Sequence, residues 1–222
     1  MKYINKHTPP SELVSYRCAP GASYDDMIKK HQDIYDITRL SLAEEQGYIC
    51  CYCGKRITGF KGTQIEHIFA KGTAAYSKMQ LDYETNLLAC CDGGKYERKS
   101  DPSILADDLH CDTKKSSAPI PVTPLQNNCQ DKFVFDIDGT ILGIGADAEA
   151  TIQILNLTSP LLNTERKYAI DAYSMFPSMD WKEEWERLEK RNSKGEFVEY
   201  CFVLQRYIEI FHGKDLKAAV HV

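Results

Sequence analysis

Glu66 and His67, adjacent in the run QIEHI, are the residue types that metal-assisted hydrolysis needs. A histidine can take the proton from a water attacking a phosphodiester. A carboxylate next to it, pointing to the other side of a strand, can hold a divalent cation that neutralises the scissile phosphate and helps expel the 3′-oxygen. Asn86, which opens the apolar run NLLACC, can hydrogen-bond His67 through its side chain or backbone and fix the ring. The candidate catalytic set is therefore His67, Asn86 and Glu66. The plain alternative is a strand histidine satisfied by its surroundings and an asparagine that only makes a turn.

Six of the nine cysteines fall between Cys50 and Cys111. Cys50-x-x-Cys53, followed by Gly54, lets two thiolates face one zinc ion at ~2.3 Å, and a tetrahedral structural site needs two more. Cys90 or Cys91 can supply the third and Cys111 the fourth, with residues 92–110 read as a loop inserted into the second knuckle. A cluster of buried or redox-active thiols is the alternative. Glycines and charges around the cysteines favour a unit stapled by metal rather than by a large core. Cys18, Cys129 and Cys201 stand alone and read as ordinary thiols.

A second motif competes. FDIDGTI, Phe135 to Ile141, looks like the nucleophile loop of a haloacid-dehalogenase-type phosphatase, with Asp136 as nucleophile and Asp138 as general acid. That chemistry needs further residues on later strands of a parallel sheet. The 84 residues after Asp138 read as helices instead. Asp138-Gly139 between FVF and ILG is also a type I′ hairpin signal, which explains the stretch without catalysis.

The elements that must position these residues follow from local pattern. Residues 1–47 read as an irregular, proline-broken arm to residue 22, then one helix from Ser23, capped with Asp26 and stopped by Gly47. Residues 48–118 form the cysteine-bearing module of short strands, and 119–145 a linker and hairpin. Residues 146–222 are helical, with apolar spacing over Ala146–Leu155, Leu161–Met175, Met179–Lys190 and Phe197–Phe211. Trp181, Trp185 and Leu188 share a face suited to core packing or a partner. The fold class expected is α+β.

The chain has 222 residues, 43% of them hydrophobic, enough for a substantial core. No run approaches the ~20 apolar residues of a membrane span, and MKYINKHTPPSELV lacks the apolar stretch of a signal peptide. A cytoplasmic protein without membrane contact is expected. The net charge of −5 argues against gripping nucleic acid by bulk electrostatics. From Cys50 to Lys115 there are ten Lys/Arg against nine Asp/Glu, a local +1 that leaves −6 elsewhere. KYERK at 95–99 reads as a solvated loop.

The order CxxC, EHI, NLLxxC and HCDxxK resembles the HNH nuclease family, whose fold is the ββα-metal finger. The resemblance implies structural Zn²⁺ on Cys50, Cys53, Cys91 and Cys111, because the family's asparagine stands five residues before the third cysteine. It implies His67 as general base and a catalytic Mg²⁺ or Mn²⁺ on Glu66. The family's last metal-binding position often holds His or Asn just after the fourth cysteine; here it is Asp112, and His110 precedes the cysteine, so either can complete the set. Lys71, Lys114 and Lys115 are the nucleic-acid contacts this reading suggests. LAEEQGYICCYC, the inserted knuckle, FxxDGxI and IxxLNL further resemble the PtuB-type HNH subunits of Septu anti-phage systems, over roughly residues 1–170. That likeness implies a PtuA-like ATPase partner and a nucleic-acid target, DNA or a structured RNA such as tRNA. Beside retrons it also implies a reverse transcriptase with its RNA–DNA hybrid. The other readings are a catalytically weak zinc-binding nucleic-acid adaptor and, last, the phosphatase.

Overall fold

The computed structural model describes residues 1–175 and 179–218; residues 176–178 and 219–222 of the expected 146–222 region lie outside the described residues. Helices α1 (Ser11–Arg17), α2 (Tyr24–Lys30) and α3 (Gln32–Glu45) precede strands β1 (Thr63–His67) and β2 (Leu87–Cys91). Helices α4 (Lys95–Ser100) and α5 (Asp112–Lys115) follow, then β3 (Phe133–Phe135) and β4 (Ile141–Gly143). Helices α6 (Ala146–Leu155), α7 (Pro160–Ser174), α8 (Trp181–Glu189) and α9 (Cys201–Ala218) close the chain. The class is α+β, with two separate two-stranded antiparallel sheets. Among the described residues no helix is long and apolar enough to cross a membrane.

The N-terminal arm is more ordered than its prolines suggest. Pro10 caps α1 rather than breaking it, since a helix start has no use for the missing N–H. The single helix expected from Ser23 is two. Ser23 Oγ does accept the Asp26 N–H at 3.1 Å, but His31, at φ −133° and ψ 55°, ends α2 and begins α3. The break lets Tyr24 of α2 reach His67 while Leu42 and Ala43 of α3 enter the core.

β1 and β2 pair with Thr63 opposite Cys91 and His67 opposite Leu87. Every residue of β2 is buried, and α3 packs against both strands. The Gln46 side chain ties the first knuckle to this sheet: Nε2 donates to the carbonyls of Ile49 and Ala89, and Oε1 accepts the Ala89 N–H at 2.7 Å. Gly54 closes the knuckle at φ +83°, its N–H on the Cys50 carbonyl. A Cβ there would lie 2.5 Å from the Phe202 ring, so the knuckle seats directly on α9.

Residues 119–132 are packed rather than a free linker, with Ile120 and Val122 buried. α9 begins at Cys201, later than the Phe197 start read from spacing, because Phe197 pairs its N–H with the Gly47 carbonyl. Trp181 and Leu188 are buried, and α8 packs on α9, where Trp181 stacks on His212 at 3.9 Å and Trp185 donates to Glu209. KYERK is the helix α4, whose Glu97 pairs with Lys55 at 2.5 Å.

Candidate metal and catalytic site

Cys50, Cys53, Cys91 and Cys111 are all buried, and their sulfurs lie within 4.8 Å of one another. Cys53 and Cys91 are 3.8 Å apart and Cys50 and Cys111 4.0 Å. A tetrahedron with ~2.3 Å zinc–sulfur bonds has edges of about 3.8 Å, so the donor set fits a metal ion such as zinc. The knuckle turn supplies the first two thiols and the end of β2 the third. Cys111 adopts φ +56°, with its N–H held by the Leu155 carbonyl at 2.8 Å, which aims its sulfur inward.

The strand that pairs with the third cysteine ends in Glu66 and His67. Glu66 is buried, accepts from the Tyr52 hydroxyl at 2.8 Å and pairs with Lys115 at 2.9 Å. Burial, then the neighbouring Asp112 carboxyl, pushes Glu66 well above the usual carboxylate range, and Lys115 opposes that shift. Asp112 directly follows Cys111, so the thiol cluster brings it to Glu66. Two facing carboxyl groups are hard oxygen donors of the kind that bind a magnesium ion together with waters and phosphate.

His67 lies on the other side of β1. Its Nε2 is 3.0 Å from the Gln80 carbonyl oxygen, and the Tyr24 ring meets it edge-on at 4.4 Å. A carbonyl only accepts, so Nε2 carries the proton and Nδ1 is the basic nitrogen of the neutral ring. Burial lowers the pKa to about 4, leaving the imidazole neutral near pH 7.

Several expected placements change. Asn86 does not bond the His67 ring. Its Oδ1 accepts the Phe69 N–H at 2.7 Å, and its Nδ2 donates to the Phe69 and Met79 carbonyls. Its own carbonyl accepts the Ile68 N–H. Asn86 therefore clamps both ends of the loop that carries Gln80, and reaches His67 only through that loop. His110 turns a ring nitrogen to the thiols, its Nδ1 3.1 Å from the Cys111 sulfur. The residue before Cys111 thus contacts a thiol, and the residue after it acts on the Glu66 carboxyl.

Lys115, expected on a nucleic-acid face, is buried; beyond Glu66 it donates to the His67 carbonyl at 2.8 Å. Lys71 pairs with Asp25 and lies over the Tyr24 ring, while Lys114 pairs with Asp107 at 3.0 Å. Tyr52, Gln80 and Tyr24 were not singled out from sequence. Tyr52 sits inside CCYC, where knuckle spacing gives a signal; the Gln80 contact is through backbone and leaves none.

The FDIDGTI loop is an antiparallel turn with both aspartates exposed. It is not the two-residue type I′ turn expected. The Asp136 N–H pairs with the Thr140 carbonyl, and residues 137–139 form a three-residue loop ending in left-handed Gly139. A Cβ on Gly139 would lie 2.1 Å from the Asn163 carbonyl oxygen, so the hairpin tip is docked on α7. Buried Arg166 secures it from below, donating to the carbonyls of Leu157 at 2.8 Å and Gly139 at 3.3 Å. No parallel sheet exists among the described residues to supply a phosphatase's remaining groups.

The sequence matches no protein-family model, and no curated protein matches it.

Proposed function

We propose that the chain is a metal-dependent HNH nuclease that hydrolyses phosphodiester bonds of nucleic acid. The observation that carries this reading is the convergence on Glu66. The four-thiol cluster fixes Cys111, hence Asp112, against a carboxylate that shares its strand end with a neutral, tautomerically defined histidine.

In this reading β1, β2 and α5 are the ββα unit, and zinc on Cys50, Cys53, Cys91 and Cys111 is its structural staple. Glu66 and Asp112 would hold Mg²⁺ or Mn²⁺, which supplies charge neutralisation at the scissile phosphate and the leaving oxygen. His67 Nδ1 removes the proton from the attacking water, and Gln80 stabilises the resulting imidazolium through Nε2–H. Asn86 holds the loop that places Gln80. The chain's net charge of −5 fits a subunit that borrows basic surface, and a PtuA-like ATPase in an anti-phage complex is the partner the motif order suggests.

One observation favours the adaptor reading: Lys115 already satisfies Glu66, and both Glu66 and His67 are buried. Cleavage separates the two. Wild type and His67→Ala are incubated with duplex DNA, single strands and tRNA in Mg²⁺ or Mn²⁺, with and without the co-expressed ATPase. Loss of cleavage in the variant, with zinc and nucleic-acid binding retained, supports the enzyme. Binding without cleavage by wild type under every condition, or unchanged cleavage by the variant, rejects catalysis at His67.

A further inference from the structure

We propose a second metal position, formed by Cys50, Cys51 and Cys90, that takes a second zinc ion and shares the Cys50 thiolate with the first. The proposal rests on the reading of Cys50, Cys53, Cys91 and Cys111 as zinc ligands.

Cys50, Cys51 and Cys90 are buried, and their sulfurs also lie within 4.8 Å of one another. The Cys50–Cys90 separation is 3.6 Å, as close to a tetrahedral zinc–thiolate edge of about 3.8 Å as the distances in the first set. Only Cys50 is common to the two groups. Cys90 and Cys91 are therefore not rivals for one place: each serves its own, although both come from the end of β2.

The backbone holds this arrangement in place. The Cys51 N–H donates to the Ala89 carbonyl at 3.1 Å, which sets Cys51 beside the residue preceding Cys90. Gln46 clamps Ile49 and Ala89 together, fixing the same two segments a second time. A small hydrophobe could fill either position if packing were the only demand, yet three sulfurs converge here next to four. Each added zinc offsets the two thiolates it recruits beyond the shared one, so the buried cluster gains no net charge over the single-zinc form.

The segment carrying two of these three cysteines borders a cavity. Cys50 and Cys51 line this space of about 240 Å³, whose other walls include His7, Glu45 and Gln46. Three protein thiolates leave one of zinc's four places without a protein ligand. Such an open place belongs to exchangeable or reactive zinc rather than to a closed structural site. The first ion, with four buried thiolates, has no such place.

The test is zinc content of protein purified under reducing conditions, followed by release to the chromogenic chelator 4-(2-pyridylazo)resorcinol. Wild type should hold about two zinc ions per chain, one leaving quickly and one slowly. Cys51→Ser with Cys90→Ser should hold about one and lack the fast phase. Wild-type release kinetics carry the test even where the double variant misfolds. A single zinc leaving in one phase from wild type would overturn the second position while leaving the first intact. Folded wild type without zinc would remove both.

Discussion

Lys115 places its ammonium 2.9 Å from Glu66, with both side chains almost completely withdrawn from solvent. This ion pair occupies one side of a carboxyl pair that the nuclease reading assigns to a divalent cation. Removing one partner of a buried pair costs up to about 3–5 kcal/mol, less where the carboxyl left behind takes up a proton. Lys115→Met should therefore unfold at lower temperature in metal-free buffer and recover part of that loss in millimolar Mg²⁺ or Mn²⁺. Wild type should respond to the cations less. Thermal melts of both proteins, with and without cation, decide the point; a variant indifferent to cations would argue that Glu66 and Asp112 are a purely structural pair.

Asn86 makes three side-chain hydrogen bonds to the backbone of Phe69 and Met79 from a fully buried position. Asn86→Ala leaves those groups unpaired, a loss of about 2–4 kcal/mol. Zinc content should be unchanged, since the clamp's side-chain partners are the backbones of Phe69 and Met79 rather than the thiols. Calorimetry and metal analysis on the same sample check both halves of the statement.

Zinc should be a folding ligand, because the four thiols staple segments that span residues 50 to 111. Cys53→Ser, or stripping wild type with a strong chelator, should abolish near-UV circular dichroism along with the bound metal. Retention of native spectra after complete metal removal would show that packing alone holds these segments.

Asp136→Asn tests the competing motif. Asp136 is exposed, and among the described residues its carboxylate accepts the N–H of the next residue. The substitution should change stability by less than about 1 kcal/mol and leave any hydrolytic activity at the wild-type rate. Loss of activity in a folded variant would return the FDIDGTI loop to the position of active site.

How far the site was readable from sequence depends on whether its contacts run through side chains or backbone. Knuckle spacing pointed to Cys50, Cys53 and Cys111 but left Cys90 and Cys91 open, with Cys91 chosen only by the family resemblance, and it left His110 and Asp112 as alternatives beside Glu66. Ser23 announced its helix, but nothing in the apolar spacing around His31 marked the break there, because the pattern continues across it. Asn86 was found by type and misplaced in its contact, since an asparagine that binds backbone looks the same in sequence as one that binds a histidine. Lys115 was read as a surface charge; its burial depends on Glu66, forty-nine positions earlier. Asp138-Gly139 signalled a hairpin correctly, while the loop length was set by how the tip docks on α7.

The claim that His67 is the general base is tested most directly by chemical rescue. Phosphodiester cleavage by the zinc-loaded chain, in Mg²⁺ or Mn²⁺ with the proposed ATPase partner added, is measured for wild type and His67→Ala across added imidazole. A loss of about 10²–10⁴-fold is expected in the variant, partly restored as imidazole fills the vacated ring position. Cleavage at the wild-type rate by a folded, zinc-bound His67→Ala chain would contradict it.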